Sequence, residues 1–148
     1  MILERPFNIL ILDDEVEISN LVKNIFIMMY GEDGFNLTVE NDPLNAMKLI
    51  EKNHFHIVIT DIYMPGMTGD EVIRRTLKKG KGTQVVVLTG DNRYTTIINS
   101  FLDGAMSFVS KPIDNKLLKM AIDLCLMRLD FWAQNVQNRT SKGSSVNA

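Results

Sequence analysis

The stretch Ile57-Val58-Ile59-Thr60-Asp61-Ile62-Tyr63-Met64-Pro65-Gly66-Met67-Thr68-Gly69 constrains this chain more than any other. Its first half is a short, apolar, β-branched run, which is how a strand buried on both faces of a parallel sheet reads. The run stops at a carboxylate, and a Pro-Gly turn follows. In an open α/β sheet, ligands collect just beyond the carboxyl ends of the strands. Asp61 stands at such an end. An aspartate after a strand also serves as a turn or helix-capping residue, and this stretch alone does not choose between the two.

The remaining chain repeats the pattern. Phe7 to Leu12 is a second buried-strand run, and it too ends on carboxylates, Asp13-Asp14-Glu15. Val16, Ile18, Leu21, Val22, Ile25, Phe26 and Met29 then recur at helical spacing until Gly31 and Gly34. Phe35 to Glu40 alternates apolar with polar, as an edge strand does. Asp42-Pro43 caps a helix to about Asn53, with Leu44, Met47, Leu49 and Ile50 directed inward. Gly69 to Lys79 makes a third helix, with Val72, Ile73 and Leu77 on one side. Val85 to Leu88 is another buried strand ending at Thr89-Gly90-Asp91, and Thr95 to Leu102 a fourth helix. A short fifth strand, Met106 to Val109, ends at Ser110-Lys111-Pro112. A last helix starts near Asp114 and extends toward Asn138, and the Ser-, Gly- and Asn-containing tail from Thr140 is expected to be disordered. Strand and helix alternate five times, which predicts a doubly wound five-stranded parallel sheet with helices on both faces and right-handed crossovers.

Composition narrows the function classes. The 148 residues suit one domain, and a net charge of -2 makes no electrostatic case for nucleic acid. No run approaches the ~18 apolar residues of a membrane span. One cysteine, Cys125, excludes an internal disulfide and a cysteine-based zinc site. These facts predict a cytoplasmic protein without nucleic-acid or membrane partners.

Taken together, the residues just past the buried strands are Asp13 and Asp14, then Asp61, Thr89 and Lys111. A parallel sheet brings such ends to one edge, so three carboxylates, a hydroxyl and an ammonium converge. Clustered carboxylates repel unless a cation shares the site. Oxygen-only ligands suit a hard divalent ion, magnesium before zinc. A carboxylate between magnesium and a lysine is a nucleophile suited to phosphorus, because both cations neutralise charge on the transferring group. Thr89 is placed to donate a hydrogen bond to that group once attached.

At these residues the chain resembles the receiver domain of bacterial two-component response regulators. The resemblance spans Phe7 to about Leu129. It rests on Asp13-Asp14-Glu15, on Asp61 to Met67 with Thr68-Gly69, on Leu88-Thr89-Gly90, and on Gly104-Ala105 and Phe108 ahead of Lys111-Pro112. Each is weak alone; in order and at domain-compatible spacing they are specific. The resemblance implies a flavodoxin-like receiver domain over 1–129, with 130–148 extending the last helix into the tail. It implies that Asp61 accepts a phosphoryl group from a sensor histidine kinase or phosphotransfer protein. Asp14, Asp61 and the Tyr63 carbonyl would bind magnesium, with Asp13 acting through water and by orienting Lys111. Thr89 and Phe108 would form the switch, and the Lys111-Pro112 bond is similar to one that is cis in such domains. Tyr63 and Asp91 occupy positions that tune the lifetime of the phosphoryl group: a bulky Tyr63 would shield it, whereas Asp91 would position a water.

The implied function is a stand-alone, phosphorylation-controlled switch with no output domain on its own chain, binding a downstream protein through the fourth helix, fifth strand and fifth helix. A phosphorelay intermediate or phosphate sink, and a pseudo-receiver that only binds partners, are the alternatives. Haloacid dehalogenase-like phosphohydrolases carry a second Asp two residues after the nucleophile, where this chain has Tyr63, so an enzyme is disfavoured. Arg74, Arg75, Lys78, Lys79 and Lys81 read as a solvated helix end. His54 and His56 read as surface or strand-edge residues, and Cys125 as a small core residue. The last helix is apolar over more than one stripe, from Leu117 to Trp132, which predicts an interaction surface for a homodimer or another partner.

Overall fold

Continuous β-branched runs have no polar face to give to solvent, so they are driven to the middle of a sheet. That is where they lie in the computed structural model, which describes residues 3–79 and 82–144. Strands β1 (Phe7–Leu12), β2 (Phe35–Glu40), β3 (Ile57–Asp61), β4 (Gln84–Thr89) and β5 (Ser107–Ser110) form one sheet in the order β2-β1-β3-β4-β5. All four pairings are parallel. Helices α1 (Val16–Tyr30), α2 (Pro43–Lys52), α3 (Gly69–Lys79), α4 (Tyr94–Leu102) and α5 (Asn115–Ser144) alternate with the strands. Successive strands step one way from β1 to β2 and the other way from β3 onward. The switch point between β1 and β3 is where an open α/β sheet leaves a crevice at its carboxyl rim.

The pleat divides the core in two. Ile9, Ile11, Ile57 and Ile59 face one way, onto Phe26 of α1 and Ile122 of α5. Leu10, Leu12, Val58 and Val87 face the other, onto Met47 of α2 and Val72 and Ile73 of α3. Burying each such side chain contributes about 1.5–3 kcal/mol, so β1, β3 and β4 anchor the rim residues that follow them. β2, alternating in sequence, lies at the edge. Two short strands after β3, Tyr63–Met64 and Met67–Thr68, pair antiparallel around Pro65-Gly66, where Gly66 takes φ 88°. That is a backbone region open to glycine and closed to most other residues.

Three expectations need correction. Leu44 does not point inward: Asp42 caps α2 by accepting the Leu44 N–H at 3.0 Å, and the buried positions of the helix are Pro43, Ala46, Met47 and Ile50. Of the two readings of His56, surface or strand-edge, the surface one fails: the residue is buried directly before β3. Its Nδ1 accepts the Asn8 N–H at 2.9 Å, its own N–H donates to the Asn8 carbonyl at 2.8 Å, and its ring packs on Phe7. Helix α5 does not fray at Thr140 but runs to Ser144. There the hydroxyls of Thr140 and Ser141 donate back to the Gln137 carbonyl, a local bond that a helical backbone accommodates. The rest of the predicted tail, 145–148, lies outside the described residues, as does Lys81. Cys125 is buried in the core as expected, and Arg75 pairs with Glu71 at 3.2 Å on exposed helix surface. Among the described residues no helix is long and apolar enough to cross a membrane.

Candidate functional site

Strand register assembles the rim. Leu12 is paired with Thr60, so the next residues on each chain segment, Asp13 and Asp61, emerge side by side. Asp61 is level with Leu88 on β4, which puts Thr89 one step further out. Thr89 is paired with Ser110, and its carbonyl accepts the Lys111 N–H at 2.8 Å. Asp13, Asp14 and Asp61 thereby place carboxylate oxygens within 4.8 Å of one another.

Asp13 is fully buried and held on all sides. Its Oδ1 accepts the Glu15 N–H at 2.9 Å, and its carbonyl accepts from Asn41 Nδ2 at 2.8 Å. Lys111 Nζ donates to Asp13 Oδ2 at 2.8 Å and to Asp61 Oδ2 at 3.2 Å. The other Asp61 oxygen, Oδ1, accepts the N–H groups of Ile62 (2.7 Å) and Tyr63 (3.3 Å), which fixes the plane of the carboxylate. Asp14 is only half-buried and opens toward solvent. Burial pushes the Asp61 carboxyl above its ordinary pKa; the Lys111 charge opposes that shift and the Asp13 charge adds to it. Burial draws Lys111 down, but its hydrogen bond to Asp13 and the charges of Asp61 and Asp13 outweigh this and raise its pKa. The ammonium and the two carboxylates therefore form a partly desolvated ion cluster with a surplus of negative charge.

The backbone beneath Asp61 is closely packed. A Cβ on Gly69, the first residue of α3, would lie 2.3 Å from the Ile62 Cα and 2.8 Å from the Asp61 carbonyl oxygen. Gly69 also donates its N–H to the Ile62 carbonyl. The Lys111-Pro112 peptide is cis, as the resemblance implies. Thr89 is buried, its Oγ1 accepting the Asp91 N–H at 3.0 Å. Phe108 is half-buried on β5 and packs on the core cluster of α2 and α3.

Above this rim lies a second polar group. The Tyr63 hydroxyl and the Thr96 hydroxyl both donate to Asp91 Oδ2 at 2.7 Å, and Arg93 grips Asp91 through Nε and Nη2. Hydrogen bonds from Arg93, then Thr96, hold the Asp91 carboxyl well below the usual carboxylate range. Sequence reading places Tyr63 and Asp91 here but misses Arg93 and Asn41. Both sit in loops, where no periodicity marks a partner; only the spacing of Asp91 and Arg93 hints at the pair.

Fold and rim together define a doubly wound α/β protein whose switch point carries an acid cluster locked to a lysine. The family model of the response regulator receiver domain matches residues 9–123, and the chain belongs to that family. It is 32% identical over 131 residues to the chemotaxis protein CheY-3 of Vibrio cholerae, covering 86% of this chain and 98% of that protein. It is 30% identical over 125 residues to the chemotaxis protein CheY of Pseudomonas aeruginosa, covering 82% and 98%. In fold it is similar to the CheY-like receiver domain protein of Methanospirillum hungatei, with a TM-score of 0.75 at 24% identity, over 84% of this chain and 96% of that one. It is a receiver domain of two-component signalling, homologous to single-domain, chemotaxis-type regulators. Domains of this family are generally switches rather than enzymes.

Proposed function

We propose that Asp61 is the phosphoryl acceptor of this receiver and that the chain switches partner binding when it is modified. The observation that carries the reading is the Asp61 carboxylate, oriented by two backbone N–H groups and contacted by Lys111 at 3.2 Å beside two further acids. A carboxylate oxygen of Asp61 forms a bond to phosphorus as the bond from phosphorus to the donor imidazole breaks, and the imidazole of the histidine kinase or phosphotransfer protein leaves. Lys111 meets the charge on the transferring group, and Asp13 keeps the ammonium aimed at it.

An all-oxygen set at this spacing fits Mg2+. Asp14, Asp61 and the Tyr63 carbonyl are the proposed direct ligands, with Asp13 acting through water. When bound, the ion supplies positive charge to the phosphoryl oxygens.

Thr89 gives up the Asp91 N–H to bond the phosphoryl group, and Phe108 moves further in, shifting a pre-existing equilibrium. The readout surface is α4, β5 and α5, where Tyr94, Phe101 and Leu102 of α4 are exposed. Onward transfer to another histidine protein, or draining of a kinase, uses the same chemistry. A pseudo-receiver would lack the acceptor, an acid or the lysine, and all are present here. The proposed setting is the cytoplasm.

The test is intact mass after incubation with acetyl phosphate, with and without Mg2+, for the native chain and Asp61→Asn. A base-labile phosphoryl adduct that needs both Mg2+ and Asp61 is expected. An adduct that persists in Asp61→Asn would overturn the assignment.

A further inference from the structure

Helix α5 carries two apolar stripes, and the fold uses one. Leu118, Ile122, Cys125 and Leu129 are buried against the sheet. Leu117, Met120, Leu124, Met127 and Phe131 lie outward on the same helix, with Leu124 at 53% and Met127 at 67% exposure. Their spacing is three, four, three, four. These are successive a and d positions of a heptad, the seam by which one helix packs on another. A helix that packs only on its own domain needs no second stripe.

The flanks say what covers the seam. With Leu117 at a, Asp123 falls at g and Arg128 at e of the next heptad, while Asp130 is the following g. In a parallel pair each g residue faces the next e of the other helix, so Asp123 meets Arg128 in both directions. In an antiparallel pair g meets g, so Asp123 faces Asp123 or Asp130 of the other helix in either register that keeps the seam, and Lys116, the g residue one heptad earlier, offsets this in one of them by meeting Asp130. Asp123 is fixed on that flank by the Tyr30 hydroxyl at 2.6 Å and Lys119 Nζ at 2.7 Å. Asn138 occupies a later a position, where a polar residue specifies register.

We propose that a second copy of this chain occupies the seam, α5 against α5, parallel and in register. The buried stripe lies on the other side of the helix, so the two receiver domains sit outside the helix pair. The assembly does not depend on phosphorylation at Asp61, so its test stands apart from that of the switch.

Sedimentation equilibrium of the full, unphosphorylated chain at rising concentration is the first measurement. A two-chain mass is expected, falling to one chain in Leu124→Lys with Met127→Lys. Both positions are already exposed, and circular dichroism checks the fold. Arg128→Glu, which opposes Asp123 across the seam, is the gentler variant and weakens association severalfold. Gln134→Cys, at an exposed d position, is expected to form a disulfide-linked dimer on oxidation, whereas native Cys125 is buried. A one-chain mass for the native protein throughout overturns the proposal and leaves the stripe to a different protein. So does a dimer that survives the lysine pair, or one that Gln134→Cys cannot cross-link.

Discussion

The phenol hydroxyl of Tyr63 donates a 2.7 Å hydrogen bond to Oδ2 of Asp91, and Arg93 Nη2 lies 2.6 Å from that hydroxyl and 2.7 Å from that carboxylate oxygen. The side chain suited to positioning a water is thus engaged, and the bulky ring is tethered over the rim. On the proposed phosphorylation of Asp61, this arrangement predicts that Arg93 favours shielding over water positioning. We expect Arg93→Ala to speed loss of the phosphoryl group about tenfold, modest beside the 10²–10⁴ of a fully placed general base. Adding Asp91→Ala should then slow it again. Decay of labelled phosphoprotein checks this; identical decay in the native, single and double variants would remove the clamp from the account.

Asp61 is held above its ordinary pKa by burial, so the folded state binds its proton more tightly than the unfolded chain. The contribution of Asp61 to the stability of the metal-free protein therefore falls as pH rises from 3.8 through the raised folded value, the reverse of an aspartate such as Asp91 whose folded pKa is lowered. Asp61→Asn removes that penalty, and Lys111 keeps its 2.8 Å bond to Asp13. We expect the variant to be more stable at neutral pH by about 1 kcal/mol, a common gain when a strained active-site charge is removed. Urea unfolding without metal measures it, and a loss of stability would contradict the reasoning.

Lys111→Ala leaves the buried Asp13 and Asp61 carboxylates without their cation. Removing one partner of such a cluster costs about 3–5 kcal/mol. Added Mg2+ should restore more stability to this variant than to the native chain, because ligand binding to the folded state stabilises it by mass action. Thermal unfolding across a Mg2+ series tests this. An equal response in both proteins would mean that the lysine and the ion do not share the site.

Gly69→Ala places a methyl 2.3 Å from the Ile62 Cα, where neither neighbouring backbone segment yields cheaply. We expect a loss of about 1–3 kcal/mol, the usual range for overpacking, together with slower phosphorylation because the displaced peptide adjoins Asp61. A variant of native stability and rate would show the α3 start to be softer than its packing indicates.

The fold was legible because three of the five strands are unbroken apolar runs, each ending on its reactive residue. That pattern carries both the sheet and the convergence of Asp13, Asp61 and Thr89, to which the short β5 adds Lys111. What escaped reading depends on contacts without a sequence period. The burial of His56 has no mark in the sequence, because its role is to satisfy Asn8, 48 residues away. Arg93 is one charge among many until the loop folds it onto Asp91. Leu44 fits an apolar pattern yet faces solvent, since the cap at Asp42 sets where the first turn of α2 begins. The helical Thr140 and Ser141 were misread because composition alone favours an irregular tail.

The side-chain amide of Gln84, buried at the start of β4, donates at 2.9 Å to the carbonyl of Cys125 in the middle of α5. A hydrophobic face lets a helix roll by several degrees at little cost, but a directional bond to one carbonyl does not. Gln84 thus sets the azimuth of α5 as a key sets a shaft. Substitutions along the outward side of that shaft can alter which molecules the protein meets without changing the angle at which they are presented.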